Sequence, residues 1–346
     1  MERDTVGAPV RVSLVGAGAW ARTAHLPALA ARDDVILTSV LDADPERGEA
    51  AAREYGFARV AGSFDELLGD GADACIVASP AVAHAQQAIA LLEGGRHVLL
   101  EKPMTNSAES AWAVAEAATR AERHVLLALG WNYSPVFAQA RALLEAQPLG
   151  RLDHVVLHMA SGLVPLLSGE SSDSSGRPEV PAVPATWRDP AVSGGGYGNA
   201  QLSHALGLMF GLVDDAIDHA HVTLREGPHP GIELGVALAG VLRSGATLAV
   251  SGIAFRPPVR QHLDLRVYGH DGFIEVDVLA ERVRRVRADG TSTTAELPVG
   301  AGIYQGTAPA HAFIDLVRGV RPDNLSDAVV GARSTEVLDI VRAAAA

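Results

Sequence analysis

Val10-Arg11-Val12-Ser13-Leu14-Val15-Gly16-Ala17-Gly18-Ala19-Trp20-Ala21 is the stretch that decides the fold. Val10–Val15 reads as a strand. The apolar pattern over Ala19–Ala31 reads as a helix in which Pro27 must start, kink or end a segment. Between them lies a G-x-G-x-x-G/A spacing. Gly16 allows the tight turn, and Gly18 lets a pyrophosphate approach the backbone. The small Ala21 lets helix and strand pack closely, and the helix N-terminus faces the phosphates. An ordinary strand–helix turn can carry the same letters, so context has to decide. Asp42 ends the next strand, Val35–Leu41. A carboxylate there accepts from adenosine ribose hydroxyls and repels a 2′-phosphate, which favours NAD over NADP. The competing role for Asp42 is a cap for the helix Pro45–Tyr55, a role Asp44 serves better.

Outward from this stretch, strands and helices alternate. Ala74–Ala78, Val98–Leu100 and Val125–Leu129 read as strands; Ala81–Leu92 and Ser107–Ala121 read as helices, the latter capped by Asn106 or Ser107. This rhythm predicts an α/β fold whose N-terminal part, 1–130, is a doubly wound parallel sheet. After Gly130 the rhythm changes. Phe137–Glu145 and Ala200–Leu212 read as helices. Leu152–Met159, His219–Leu224, Ile232–Leu242, Thr247–Ala254, His262–Tyr268 and Gly272–Val278 read as strands, with a hairpin turn at 243–246. Strands without helices between them predict a mostly antiparallel sheet over 131–346. Ser168–Pro184 is rich in Ser, Pro and Gly and reads as a long loop or a partly disordered lid. Pro309–Arg318 and Ala328–Ala343 close the chain as helices, and the last can return to pack on the first domain.

Lys102 is the only lysine; the other basic side chains are arginine. Arginine releases no proton at useful pH, whereas burial or a nearby cation lowers a lysine ammonium toward the working range. Pro103 biases Lys102 toward extended backbone at the carboxyl end of Val98–Leu100, where open parallel sheets bind ligands. The plainer reading is a leftover surface residue in an arginine-rich chain.

The 346 residues suggest two domains, 48% of them hydrophobic, and the net charge of −13 argues against nucleic acid or anionic membrane as a partner. Cys75, the only cysteine, sits in an apolar run, so no internal disulfide or thiolate metal site is expected. No His/Asp/Glu group has metal-ligand spacing. Met1–Pro9 does not read as a signal peptide and no apolar run is long enough to span a membrane, so a cytoplasmic protein is expected.

In the helix from Ala200 to Val213, Leu202, Leu206, Met209, Phe210 and Val213 share one face. His204 lies opposite, among Ala200, Gly207 and Gly211. So small a face leaves room for a ligand or for another element of the protein. His204 then reads as a proton donor–acceptor, or as a histidine packed against a loop.

Taken together these residues resemble the glucose–fructose oxidoreductase / inositol dehydrogenase (Gfo/Idh/MocA) family. The resemblance runs through Gly16–Ala21, His25-Leu26-Pro27, Asp42, Ser79-Pro80 with His84, Glu101-Lys102-Pro103, Trp187-Arg188, Gly194–Gly196, His204, Tyr268-Gly269 and Ala312-Phe313-Ile314. It implies an N-terminal Rossmann domain and a C-terminal substrate-binding domain whose large open sheet forms a homodimer or homotetramer. It implies NAD(P)-dependent oxidation or reduction at a carbinol carbon of a sugar, glycoside or cyclitol. Lys102 and His204 would be the acid–base pair. Gly16, Gly18, Ala19, Trp20, Asp42, Ser79, Pro80, His84, Glu101, Lys102, Trp187 and Arg188 would hold the cofactor, with Glu101 positioning cofactor or lysine. Tyr133, Tyr197 and Gln201 would line the substrate pocket with Lys102 and His204, joined by the 161–188 segment and Arg256. Two departures stand out. Many relatives carry an aspartate where this chain has Ala200, and an arginine where it has Ser134. Two alternatives stay open: a non-catalytic nucleotide-binding sensor, which the missing aspartate supports, and an oxidoreductase that recycles a tightly held nicotinamide.

Overall fold

Short aliphatic runs, buried on both faces, build the first sheet. The computed structural model describes residues 7–170, 187, 189–258, 260–321 and 323–345. It divides into two units, the first running through Gly130 and taking in Gln305–Ala332 as well. Its strands are β1 (Val10–Val15), β2 (Val35–Leu41), β3 (Arg59–Val60), β4 (Ala74–Val77), β5 (His97–Leu100) and β6 (Val125–Leu127), all parallel, in the order β3-β2-β1-β4-β5-β6. That is the doubly wound dinucleotide-binding order, with its crevice at the carboxyl ends of the strands. All four residues of β4 and Val98–Leu100 are buried, as a sheet covered on both faces requires.

Local chemistry sets the flanking helices. Asp44 caps Pro45–Tyr55 by accepting from the N–H groups of Glu46 and Arg47, and Gly56 ends it at φ 79°. Ser107, rather than Asn106, caps Ala108–Ala121. The exposed edge of β6 is covered by the returning 305–332 segment. Leu127 N donates to Ser326 O at 2.7 Å, and Asn324 Nδ2 to Val125 O at 2.7 Å. Two elements of this unit, β3 and the helix Phe64–Leu68, are too short to leave a periodic signal.

The second unit comprises Trp131–Tyr304 and the chain from Arg333 onward. Its strands are β7 (Leu152–Ser161), β8 (Ile217–Glu226), β9 (Glu233–Leu242), β10 (Thr247–Ala254), β11 (His262–Gly269), β12 (Gly272–Asp277), β13 (Arg282–Arg287) and β14 (Ser292–Glu296). They form one sheet in the order β14-β13-β12-β11-β7-β10-β9-β8, antiparallel except between β7 and β10. Neither β13 nor β14 is legible in the sequence, because arginines and threonines occupy their outward positions. Alternate residues of β10 and β11 are buried, so one face of the sheet is covered. On the other face the register lines up Arg266, Val156, Ala249, Ala239 and His221 across five strands. That face is small and apolar at its centre and charged at its margins. Among the described residues no helix is long and apolar enough to cross a membrane.

Candidate functional site

The glycine loop of the first unit uses its two glycines for different purposes. Gly16 adopts φ +89°, and a Cβ there would lie 2.6 Å from the backbone of Ala78 and Ser79. Its smallness therefore serves the packing of the loop on the end of β4. A Cβ on Gly18 would meet nothing within 4 Å. Among the described residues packing makes no demand at Gly18, so its backbone is open to close approach. The helix that follows begins at Ala19, with Trp20 in its first turn, and presents its N-terminal N–H groups at the same place. These features match a dinucleotide pyrophosphate.

Asp42 is more committed than the sequence suggests. Its Oδ2 accepts from Ala17 N at 2.7 Å, and its Oδ1 accepts from Asp44 N at 2.8 Å and from Arg47 Nε and Nη2 at 3.0 and 2.8 Å. Burial pushes its carboxyl up, but the Arg47 guanidinium and the backbone donors outweigh this and hold it below the usual range. The carboxylate thus fastens the glycine loop to the end of β2. Arg47, its side chain 44% exposed, places a cation beside that carboxylate.

Two buried histidines brace the Glu101-Lys102-Pro103 turn. His84 Nε2 lies 2.8 Å from Ser79 O, and its Nδ1 lies 3.1 Å from Pro103 O, which joins the Ser79-Pro80 turn to the lysine turn. Burial lowers the His84 pKa. Ser79 Oγ donates to Gln87 Oε1 at 2.6 Å. Glu101 is buried; its Oε1 lies 2.7 Å from His25 Nε2 and its Oε2 accepts from Lys102 N at 3.1 Å. Burial pushes the Glu101 carboxyl up, yet His25 and Lys102 hold it below the ordinary value. Lys102 is half-buried beyond the carboxyl end of β5, and its bond to Pro103 is cis.

His204 belongs to the second unit, in a helix that starts with a π-helical turn, Gly198–Leu202, and continues as Ser203–Leu212. Such turns are rare and occur often at functional sites. The small face opposite Leu206 is filled by protein. Asn132 Nδ2 donates to Gly207 O at 3.0 Å, and a Cβ on Gly211 would lie 2.8 Å from Asn132 Nδ2 and 3.0 Å from the Phe137 ring. His204, 7% exposed, meets Trp131 and Tyr304 edge-on at ring-centroid distances of 5.5 and 5.1 Å. Neither aromatic carries a local sequence signal for this role. Trp131 begins the unit and Tyr304 precedes its break, so only the folded chain brings them together.

The glycine run before this helix is held from afar. Glu233, at the start of β9, accepts from Gly196 N at 2.8 Å and Gly198 N at 2.7 Å, and burial pushes its carboxyl up. Ser134 caps the helix Pro135–Ala146 by accepting from Phe137 N at 3.2 Å, a role an arginine could not fill. Ala200 is buried, and Gln201 Oε1 is buried with no hydrogen-bond partner among the described residues. Tyr133 is half-buried in the Gly130–Tyr133 turn. Tyr197 has to be withdrawn from the ligand-facing set. It is fully buried; its hydroxyl donates to Met159 O at 3.1 Å and accepts from Ser161 Oγ at 3.2 Å, and burial raises its pKa. Arg256 is paired bidentately with Glu170 at 2.8 and 2.7 Å. Trp187 is half-buried, while Arg188 and residues 171–186 lie outside the described residues. Among the described residues no group of three or more His, Cys, Asp or Glu side chains is arranged to hold a metal ion.

Comparison with known proteins adds three findings. The sequence profile of the GFO_IDH_MocA oxidoreductase family, NAD-binding Rossmann fold, matches residues 10–129. A 1,5-anhydro-D-fructose reductase of Ensifer adhaerens is 31% identical over 238 residues, 65% of each chain, and the myo-inositol dehydrogenase Hyg17 of Streptomyces leeuwenhoekii is 38% identical over 131 residues, 37% of this chain and 38% of that one. The crystal structure of an oxidoreductase domain protein from Kribbella flavida superposes with a TM-score of 0.78 at 22% identity, covering 98% of this chain and 97% of that one. The chain spans from under a third to just under two thirds of the length of the curated relatives it matches.

Proposed function

We propose, for a chain that belongs to the GFO_IDH_MocA oxidoreductase family, an NAD(H)-preferring oxidoreductase acting on a secondary alcohol or ketone of a sugar, glycoside or cyclitol. The observation that carries this reading is the open space at Gly18 beside a tightly packed Gly16. A bound nicotinamide supplies the hydride donor or acceptor. Gly16, Gly18, Ala19 and Trp20 would hold the pyrophosphate, Asp42 the ribose, and Ser79, Pro80, His84, Glu101, Trp187 and Arg188 the rest of the cofactor. Lys102 hydrogen-bonds the reacting hydroxyl and stabilises the alkoxide as it forms; His204 takes or returns the proton. With no carboxylate at Ala200, this acid–base work falls on the lysine and histidine alone. Tyr133 and Gln201, whose Oε1 has no donor among the described residues, are the remaining candidates to orient the polyol. Domain 1–130 would carry the cofactor and 131–346 the substrate. The open face of the large sheet, apolar at its centre, would associate with a second copy, which sedimentation can check.

The test has two parts. Calorimetric titration should show NADH binding more tightly than NADPH, and a polyol screen should then find hydride transfer. K102M should lower turnover by roughly a thousandfold or more while dinucleotide affinity stays within a few-fold. Near-normal turnover in K102M removes Lys102 from the reaction. Buried Ala200, in place of an acid, favours one second reading, a nucleotide-binding sensor. Tight dinucleotide binding with no turnover on any polyol would select it.

A further inference from the structure

His25 has no part in the reaction assigned above, yet it is fully buried and reaches Glu101. It closes the π-helical turn Ala21–His25, which follows directly on the glycine loop. Its Nε2 carries the proton in the 2.7 Å bond to Glu101 Oε1, while Nδ1 has no partner among the described residues. The second oxygen of the same carboxylate accepts from the main-chain N–H of Lys102. Glu101 N is in turn anchored on Val77 O at 2.9 Å. One buried carboxylate is therefore shared between a histidine on the phosphate-loop helix and the lysine turn. The charged and titratable groups that act on Glu101 here are His25 and Lys102, and Glu101 in turn acts on His84 across the same turn.

We propose that His25 is a positioning residue for Lys102: through Glu101 it fixes the lysine turn and limits how much of the carboxylate's charge the ammonium feels. The inference rests on Lys102 being the reactive lysine. The same link makes the helix that would receive the pyrophosphate and the turn that carries the lysine one mechanical piece. A donor on Oε1 draws negative charge toward His25 and away from Lys102. Removing that donor leaves the ammonium a stronger counter-charge and raises its pKa, whereas removing the carboxylate lowers it.

Because Lys102 is the only lysine, the full chain can report on it without cofactor or substrate. Selective [15N]lysine labelling gives one lysine amide resonance. Reductive [13C]methylation gives one lysine side-chain signal beside that of the N-terminal amine. In H25L the Lys102 amide should shift and exchange about tenfold faster, and the side chain should titrate about one unit higher. H25Q, which offers an N–H donor near the position of Nε2, should return both toward wild type. E101Q should speed the amide exchange and move the side-chain titration down. A purely space-filling histidine predicts no change in the lysine titration. Lys102 signals in H25L that match wild type overturn the proposal; where H25L does not fold, H25M carries the same comparison. These signals do not depend on turnover. K102M that stays active would sink the catalytic reading and leave them untouched, and an unmoved titration would sink the His25 proposal and leave the catalytic reading standing.

Discussion

The glycine loop at 16–21 and the glycine run at 194–196 look alike as sequence and are built on different principles. The first is held at the carboxyl ends of the two strands that flank β1, β2 and β4. Gly16 sits against Ala78, and Ala17 is tied to Asp42. The second is held by a carboxylate from a different strand. Gly194 and Gly195 adopt φ 77° and 141°, and a Cβ on Gly196 would lie 2.2 Å from Glu233 O. A site made by a local turn announces itself through residue spacing. A site made by a distant strand does not.

The sharpest break in this comparison lies within the first loop. G16A should destabilise the fold outright, since it combines a positive φ with a backbone overlap at 2.6 Å. G18V should leave thermal stability near wild type and abolish measurable dinucleotide binding. Melting curves and calorimetric titration of the two variants check this. A G18V protein that binds NADH normally would mean that the clearance at Gly18 serves no ligand.

Buried acids separate the two units by sign. In the first unit Asp42, Asp70 and Glu101 are held below their ordinary values; burial opposes this, but hydrogen-bond donors and cations prevail. In the second unit burial raises Glu233, and burial together with Asp277 raises Asp264. A carboxyl lowered on folding contributes stability that is present above its unfolded value, about 4, and is lost as pH falls through its folded value. A carboxyl raised on folding contributes stability that is present below the unfolded value and is lost as pH rises through its folded value. As pH falls below about 4, amides of the first unit should lose hydrogen-exchange protection before those of the second, whose protection should rise on going from pH 8 toward pH 4. Uniform loss across both units would contradict the assignment.

A smaller effect is expected at the ribose end. Arg47 neutralises part of the Asp42 charge, and, with the ribose on Asp42 as proposed, its guanidinium would attract a 2′-phosphate. R47A should therefore sharpen the preference for NADH over NADPH by about tenfold, or roughly 1.4 kcal/mol, chiefly by weakening NADPH. Equal weakening of both cofactors would place Arg47 outside the discrimination.

How much of the molecule was legible follows the same division. The parallel sheet and the Pro45–Tyr55 helix were readable because β-branched runs, a capping Asp44 and a C-terminal Gly56 are local signals. The Glu101-Lys102-Pro103 turn was readable as a motif, but its brace by His25 was not, because 76 residues separate the partners. The His204 helix was readable as amphipathic. Its small face nonetheless belongs to Asn132 and Phe137, and its histidine to Trp131 and Tyr304. Helical periodicity says which side is small; it says nothing about what arrives there.

Tyr197 gives the smallest and most discriminating case. Its place after the glycine run made it a candidate to touch substrate, yet its hydroxyl is spent on Met159 O and Ser161 Oγ inside the second unit. Its ring lies against the strand so closely that a Cβ on Gly252 would sit 2.7 Å from it. Y197F removes the donor to one buried carbonyl and the acceptor for one buried hydroxyl, at a cost of about 1–2 kcal/mol in stability. It should leave turnover and apparent substrate affinity within twofold of wild type, because no atom of the side chain is exposed. A large loss of turnover at unchanged melting temperature would instead require the tyrosine to leave its pocket during the reaction, and the packing around His204 would then have to be read as one of two states.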